Sequence, residues 1–134
     1  MAGGLKIMVV DDDSNICELL RLYLEKEGFE AIIAPNGAKA LEMFDTEKPD
    51  LMLLDVMMPQ LDGIATMTRL REKSNVPVIL LTAKSEDTDK ILGLNVGADD
   101  YVTKPFNPVE VLARVKSQLR RYTCLLYTSD AADD

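Results

Sequence analysis

Five times along this chain a short apolar run gives way to an amphipathic stretch, at intervals of roughly 20 to 25 residues, and that alternation leaves few folds open. Ile7 to Val10, Ala31 to Ala34, Leu51 to Leu54, Val78 to Leu81 and the pair Tyr101–Val102 read as strands. Ile16, Leu19, Leu20, Tyr23 and Leu24 follow helical spacing, with Asp13 or Ser14 as cap and a stop at Gly28. Ala40, Leu41 and Phe44 form a second stripe after the Asn36–Gly37 turn. Ile64, Met67 and Leu70 form a third, beyond a loop bracketed by Met58–Pro59 and Asp62–Gly63. The stretch Asp87 to Val96 is a fourth helix with Ile91 and Leu92 inward. The last opens at Pro108, where a first turn tolerates proline, and buries Leu112, Val115 and Leu119. Leu51 to Leu54 is apolar on both faces, as a central parallel strand must be. Right-handed crossovers then give an α/β fold, a (βα)5 doubly wound five-stranded parallel sheet of order 2-1-3-4-5, with helices on both faces.

Residues 1–122 form one domain by this reading, long enough to bury a core without metal or disulfide staples. Residues 123–134 (TCLLYTSDAADD) show no period and are expected to be a linker or a foreign tail without fixed structure. The formal charge of −8 argues against a nucleic-acid surface in this segment, which would need a cationic face. No apolar run approaches the ~20 residues that span a bilayer, and the Met-Ala-Gly-Gly start lacks the charged and apolar regions of a signal peptide. Cys17 and Cys124 make no metal-type spacing and read as free thiols of a reducing compartment. A cytoplasmic location is the expectation. Histidine is absent, which excludes a Ser-His-Asp or Cys-His nucleophile, a histidine zinc site and a phosphohistidine on this chain. Chemistry is left to carboxylates, hydroxyls, lysine and a hard cation.

The polar residues fall where such chemistry could be assembled. Asp11, Asp12 and Asp13 follow the first strand, Asp55 the third, Thr82 the fourth and Lys104 the fifth. In a parallel sheet these ends share one edge, and ligands bind there in the crevice where strand order reverses, here between strands one and three. Singly, each has a plain explanation: the aspartates cap a helix, Asp55 makes a turn, Lys104–Pro105 is a loop. Their joint occurrence on one edge outweighs those readings. Carboxylates converging there would repel one another. Mg²⁺, which takes six oxygens and keeps waters and a phosphate oxygen among them, relieves that conflict. Thr82 and Lys104 then supply donors to phosphate oxygens, a set sufficient for phosphoryl transfer.

At these residues the chain resembles the receiver domain of bacterial two-component response regulators, which has a flavodoxin-like fold. The segments are VVDDD (9–13), LLDVMMPQLDG (53–63), LLTAK (80–84) and DDYVTKPF (99–106), in register from residue 5 to about 122. The resemblance implies that Asp55 is the phosphoacceptor, a carboxylate that attacks the phosphohistidine of a partner sensor histidine kinase. It implies that Asp12 binds Mg²⁺ directly, Asp11 through water, and Asp55 and the backbone carbonyl of Met57 complete the protein ligands. Lys104 would contact the phosphoryl group, with a cis bond to Pro105. Thr82 would hydrogen-bond a phosphoryl oxygen, Tyr101 would swing inward as Thr82 moves, and Ala83 would leave room. Met57 and Lys84 stand where the family tunes acyl-phosphate lifetime.

KPFNPVEVLARVKSQLRR (104–121) further resembles the OmpR/PhoB subfamily of DNA-binding regulators. That implies a phosphorylation-dependent homodimer through the Asp87–Val96 helix, the fifth strand and the last helix. Its cross-subunit pairs would be Lys90 with Glu110, Asp100 with Arg114, and Asp99 with Arg121. The plainer reading is that Arg114, Arg120 and Arg121 complement a helix C-terminus. Members of the subfamily continue into a winged-helix domain that this sequence does not contain, so the chain is expected not to bind nucleic acid or membrane itself. The expected function is a phosphoacceptor switch of a two-component system, controlling dimerisation and output, with transcription regulated through a DNA-binding domain absent here. No enzyme activity is expected beyond self-phosphorylation and slow autodephosphorylation. An aspartyl-phosphate phosphatase would need a second carboxylate two residues after Asp55, where Met57 stands. A flavin carrier is poorly supplied by 5% aromatics and no Trp. A stand-alone receiver acting on a protein partner is the remaining alternative.

Overall fold

The computed structural model describes residues 4–56, 63–83 and 98–126, the side chains of Ala83 and 122–126 apart. The elements run β1 (Lys6–Val10), α1 (Ser14–Lys26), β2 (Glu30–Ala34), α2 (Gly37–Glu47), β3 (Leu51–Asp55), α3 (Gly63–Arg71), β4 (Val78–Ala83), β5 (Asp100–Lys104) and α4 (Pro108–Leu126). The helix expected over Asp87 to Val96 lies outside the described residues. The last helix continues past residue 122 to Leu126.

All strand pairs are parallel and the order is β2-β1-β3-β4-β5, as the alternation predicted. The pleat divides the core. Ile7, Val9, Leu51, Leu53, Ile79, Leu81 and Val102 face one side, where Cys17, Leu20 and Leu24 of α1 and Val111, Val115 and Leu119 of α4 cover them. Met8, Val10, Met52, Leu54, Val78 and Leu80 face the other, under Ala40 of α2 and Met67 and Leu70 of α3. Every residue of β3 is buried, which is why its sequence lacks polar alternation before Asp55. Each such Leu, Ile or Val contributes about 1.5–3 kcal/mol on burial.

Local signals set the ends of α1. The Asp13 side chain accepts from the Asn15 and Ile16 amides, so Asp13 rather than Ser14 is the cap. At the other end Gly28 takes φ +90, with Gly28 N–H donating to Glu25 O and Phe29 N–H to Leu24 O, both at 3.0 Å. That double bond is the Schellman arrangement, which glycine enters without steric penalty. The stripe expected for α1 needs one correction: Leu19 is 38% exposed, and Cys17 takes its place inside. A small apolar thiol packs well there.

Candidate functional site

The ladders carry the polar residues to one edge. Three of them lie within strands rather than follow them, because the hydrogen-bonded register runs further than the apolar runs. Asp55 pairs with Leu81, Thr82 with Thr103 and Ala83 with Lys104. Asp11 is the first residue beyond β1, its amide donating to Ala34 O at 3.3 Å. Since β1 and β3 are neighbours, Asp11 and Asp55 meet across the crevice.

Asp11 and Asp55 are buried, at 1% and 3% exposure, whereas Asp12 is exposed. Carboxylate oxygens of Asp11, Asp12 and Asp55 all lie within 4.8 Å of one another. Lys104 Nζ donates to Asp11 Oδ2 at 3.2 Å and to Asp55 Oδ1 at 3.3 Å. Burial alone would lower the Lys104 ammonium, but the charges of Asp55 and Asp11 and their hydrogen bonds outweigh it and hold it above its ordinary value. Asp11 is also held from behind. Its Oδ1 accepts the Asp13 amide at 2.9 Å, and its carbonyl accepts the Cys17 thiol at 3.3 Å. Burial, followed by the charges of Asp11 and Asp13, pushes that thiol up to about 11. Cys17 supports the acidic loop, a role its sequence context conceals: only its position one turn into α1, on the inward side, could have signalled it.

The described groups fit a hard divalent cation. The donor set is oxygen only, spaced for one ion, and two of its members are buried where uncompensated carboxylates are costly. The site already draws in Lys104 as a partial answer to that charge.

Thr82 is fully buried on β4, one residue beyond the partner of Asp55. Tyr101 is half-buried and packs against the apolar layer of α2 and α3. The Lys104–Pro105 bond is cis, as the resemblance implied. Met57, Lys84 and Lys90 lie outside the described residues. Of the other residues expected at a dimer face, Asp99, Asp100, Glu110 and Arg114 have partners within the chain. Arg114 Nη1 donates to Asp100 Oδ1 and Oδ2 at 2.8 and 2.9 Å, and Arg114 Nη2 lies 3.2 Å from Glu110 Oε2. Asp99 Oδ2 accepts the Val78 amide at 2.9 Å and Arg71 Nη2 at 3.1 Å. Arg121 is exposed on α4.

A doubly wound sheet of this order, with paired acidic residues at the switch point and lysine opposite, defines a receiver. Residues 7–116 match the response regulator receiver domain family, and the chain belongs to it. It is 52% identical over 130 residues to the alkaline phosphatase synthesis transcriptional regulatory protein PhoP of Bacillus subtilis (strain 168), covering 96% of this chain and 54% of that protein. It is 52% identical over 117 residues to the regulatory protein VanRc of Enterococcus gallinarum, covering 87% of this chain and 51% of that one. Among solved structures, the receiver domain of the Francisella response regulator 1452 superposes with a TM-score of 0.81 at 38% identity, covering 89% of this chain and 99% of that one. The chain thus spans about half the length of the curated relatives it matches. Among the described residues, no helix is long and apolar enough to cross a membrane.

Proposed function

We propose that the chain is a phosphoacceptor switch in which Asp55 takes a phosphoryl group from the phosphohistidine of a sensor kinase. The observation that carries this reading is the meeting of Asp11, Asp12 and Asp55 oxygens within 4.8 Å, with Lys104 bridging two of them. An Asp55 carboxylate oxygen attacks phosphorus in line, the P–N bond to the kinase imidazole breaks, and its electron pair returns to the ring nitrogen. An acyl phosphate remains on Asp55. Asp11, Asp12 and Asp55, with the Met57 carbonyl, would hold Mg²⁺. When bound, the ion neutralises charge on the carboxylates and on the transferring phosphoryl oxygens. Lys104 leaves its carboxylate partners to pair with the phosphoryl group, and Thr82 donates its hydroxyl to a phosphoryl oxygen. Met57, two residues after Asp55, cannot transfer a proton, which supports a role as acceptor over one as a phosphatase.

Phosphorylation adds about −1.5 to −2 charges and three acceptor oxygens. The contact that Thr82 and Lys104 make with them biases the β4 end and, through Tyr101, the β5–α4 surface. The output is dimerisation on that surface in a cytoplasmic regulator of transcription that acts through a DNA-binding domain. Dimer formation would exchange the Arg114–Asp100 pair within one chain for the same pair between chains. Such an exchange conserves ion pairs, and exposed pairs contribute little each, so it sets register more than affinity.

Acetyl phosphate with Mg²⁺ should add one phosphate to the protein by intact mass, and Asp55→Asn should add none. An unmodified wild-type chain would sink the reading. Beryllofluoride should raise the mass seen by light scattering, and Arg114→Glu should prevent it; a monomer with beryllofluoride bound discards the dimer and leaves the chemistry standing.

A further inference from the structure

We infer that Gly63 is a positioning residue for the phosphoacceptor, because the first turn of α3 is seated directly on the backbone that carries Asp55. The inference rests on the proposed function. Gly63 is buried at the start of α3, and its amide donates to Val56 O at 3.0 Å, drawing the chain back onto the end of β3. A Cβ placed on Gly63 would overlap the Asp55 carbonyl oxygen and stand 2.7 Å from Val56 Cα and 3.0 Å from the Asp55 carbonyl carbon. Carbon atoms in contact settle at roughly 3.5–4.0 Å, so a methyl group there demands a displacement of about 1 Å.

All three atoms are backbone, so no rotamer change can yield the space. Neither neighbour moves freely. The Val56 amide donates to Leu81 O at 2.9 Å, and Asp55 is in register with Leu81 in the parallel ladder. On the other side, α3 is held by Met67 and Leu70, both fully buried. The displacement therefore falls on the end of β3 or on the seating of α3 against it. Asp11 and Asp12 follow β1 and Lys104 ends β5, so they do not follow such a shift. A packed interior transmits strain of this kind instead of absorbing it. Asp55 then loses its place relative to the groups that must act with it, and a misplacement of about 1 Å can slow a positioned reaction by about a hundredfold.

The test compares wild type, Gly63→Ala and Met67→Ala. The last variant opens a cavity four residues along the same helix without touching the β3 backbone. All three are measured in trimethylamine N-oxide, which favours the compact state and keeps destabilised variants folded. Phosphate incorporation from acetyl phosphate is followed by intact mass, and Mg²⁺ affinity by NMR shifts of the Val10 to Asp13 amides. Gly63→Ala should be slowed about ten- to a hundredfold and should bind Mg²⁺ more weakly. Met67→Ala should match wild type in both despite its lower stability. Equal behaviour of the two variants overturns the inference, as does a Gly63→Ala chain that stays unfolded in the osmolyte, since Gly63 would then serve the fold alone. A wild-type chain that takes no phosphate removes the proposed function and this inference with it, whereas a phosphorylated wild type with indifferent Gly63→Ala removes only the latter.

Discussion

Replacing Lys104 by methionine keeps the length of the side chain and removes its charge. In the native structure that charge lies 3.2 Å from Asp11 Oδ2 and 3.3 Å from Asp55 Oδ1, and both carboxylates are almost wholly out of water. At an effective dielectric of about 20, each pair attracts by about 5 kcal/mol. Two effects reduce the net value. Lys104 is 26% exposed, so solvent screens it, and freeing a lysine returns about 2 kcal/mol of rotamer entropy. Breaking a fully buried pair costs about 3–5 kcal/mol, so about 2–4 kcal/mol is expected here. With a urea dependence of about 2 kcal/mol per molar, the unfolding midpoint of Lys104→Met should fall by about 1–2 M in the absence of divalent ions.

The same reasoning fixes what Mg²⁺ and pH should do. Mg²⁺ supplies the missing positive charge, so saturating Mg²⁺ should stabilise the variant more than wild type and narrow the gap. In wild type the Lys104 ammonium is held above 10.5, its ordinary value. A raised folded value means that the stabilisation is complete below pH 10.5 and disappears as pH climbs through the higher folded value. The assay is urea unfolding followed by circular dichroism, with and without Mg²⁺. A variant as stable as wild type without the ion, or a gap that Mg²⁺ leaves unchanged, would refute the electrostatic account of the site.

Three further outcomes are expected. Cys17, moved from 9.0 to about 11, carries about a hundredth of the ordinary thiolate at pH 8, so in a Cys124→Ser background iodoacetamide should modify the native chain at least that much more slowly than the urea-unfolded one. Because the fold favours the neutral thiol, this residue's contribution to stability is complete below pH 9.0 and lost as pH rises to about 11; equal alkylation rates would contradict that. Asp13→Ala should cost about 1 kcal/mol in urea unfolding and Asp13→Ser much less, since serine also caps a helix; equal losses would mean the Asp13 carboxylate does more than cap α1. Leu53→Ala, at the centre of a strand buried on both faces, should cost about 2–5 kcal/mol and lower the thermal midpoint accordingly.

The fold and most of the acidic site were legible because both rest on periodicity and sequence position. Apolar runs that do not alternate announce strands covered on both faces, and Leu51 to Leu54 is one. A residue ending such a run lands at a known sheet edge, so Asp55 and Lys104 could be brought together before any coordinates. Strand boundaries were less legible. Ladder pairing extends β3 to Asp55, β4 to Ala83 and β5 to Lys104, because backbone hydrogen bonding does not stop where hydrophobicity does. The side of α1 that turns inward was also misjudged at Leu19 and Cys17, since a stripe of apolar residues does not state which flank meets the sheet.

By itself, then, the order of residues determined the alternating architecture, the edge on which the chemistry gathers and the kinds of group gathered there, because each follows from local periodicity and the handedness of crossovers. Only the tertiary structure decided distances and partners: Lys104 between Asp11 and Asp55, Arg114 on Asp100 of its own chain, Asp99 on Arg71, and Gly63 against the Asp55 carbonyl. Those contacts join residues from 8 to 93 positions apart. Which of many compatible side chains meets which is settled by close packing across the sheet, and nothing local in the chain encodes that.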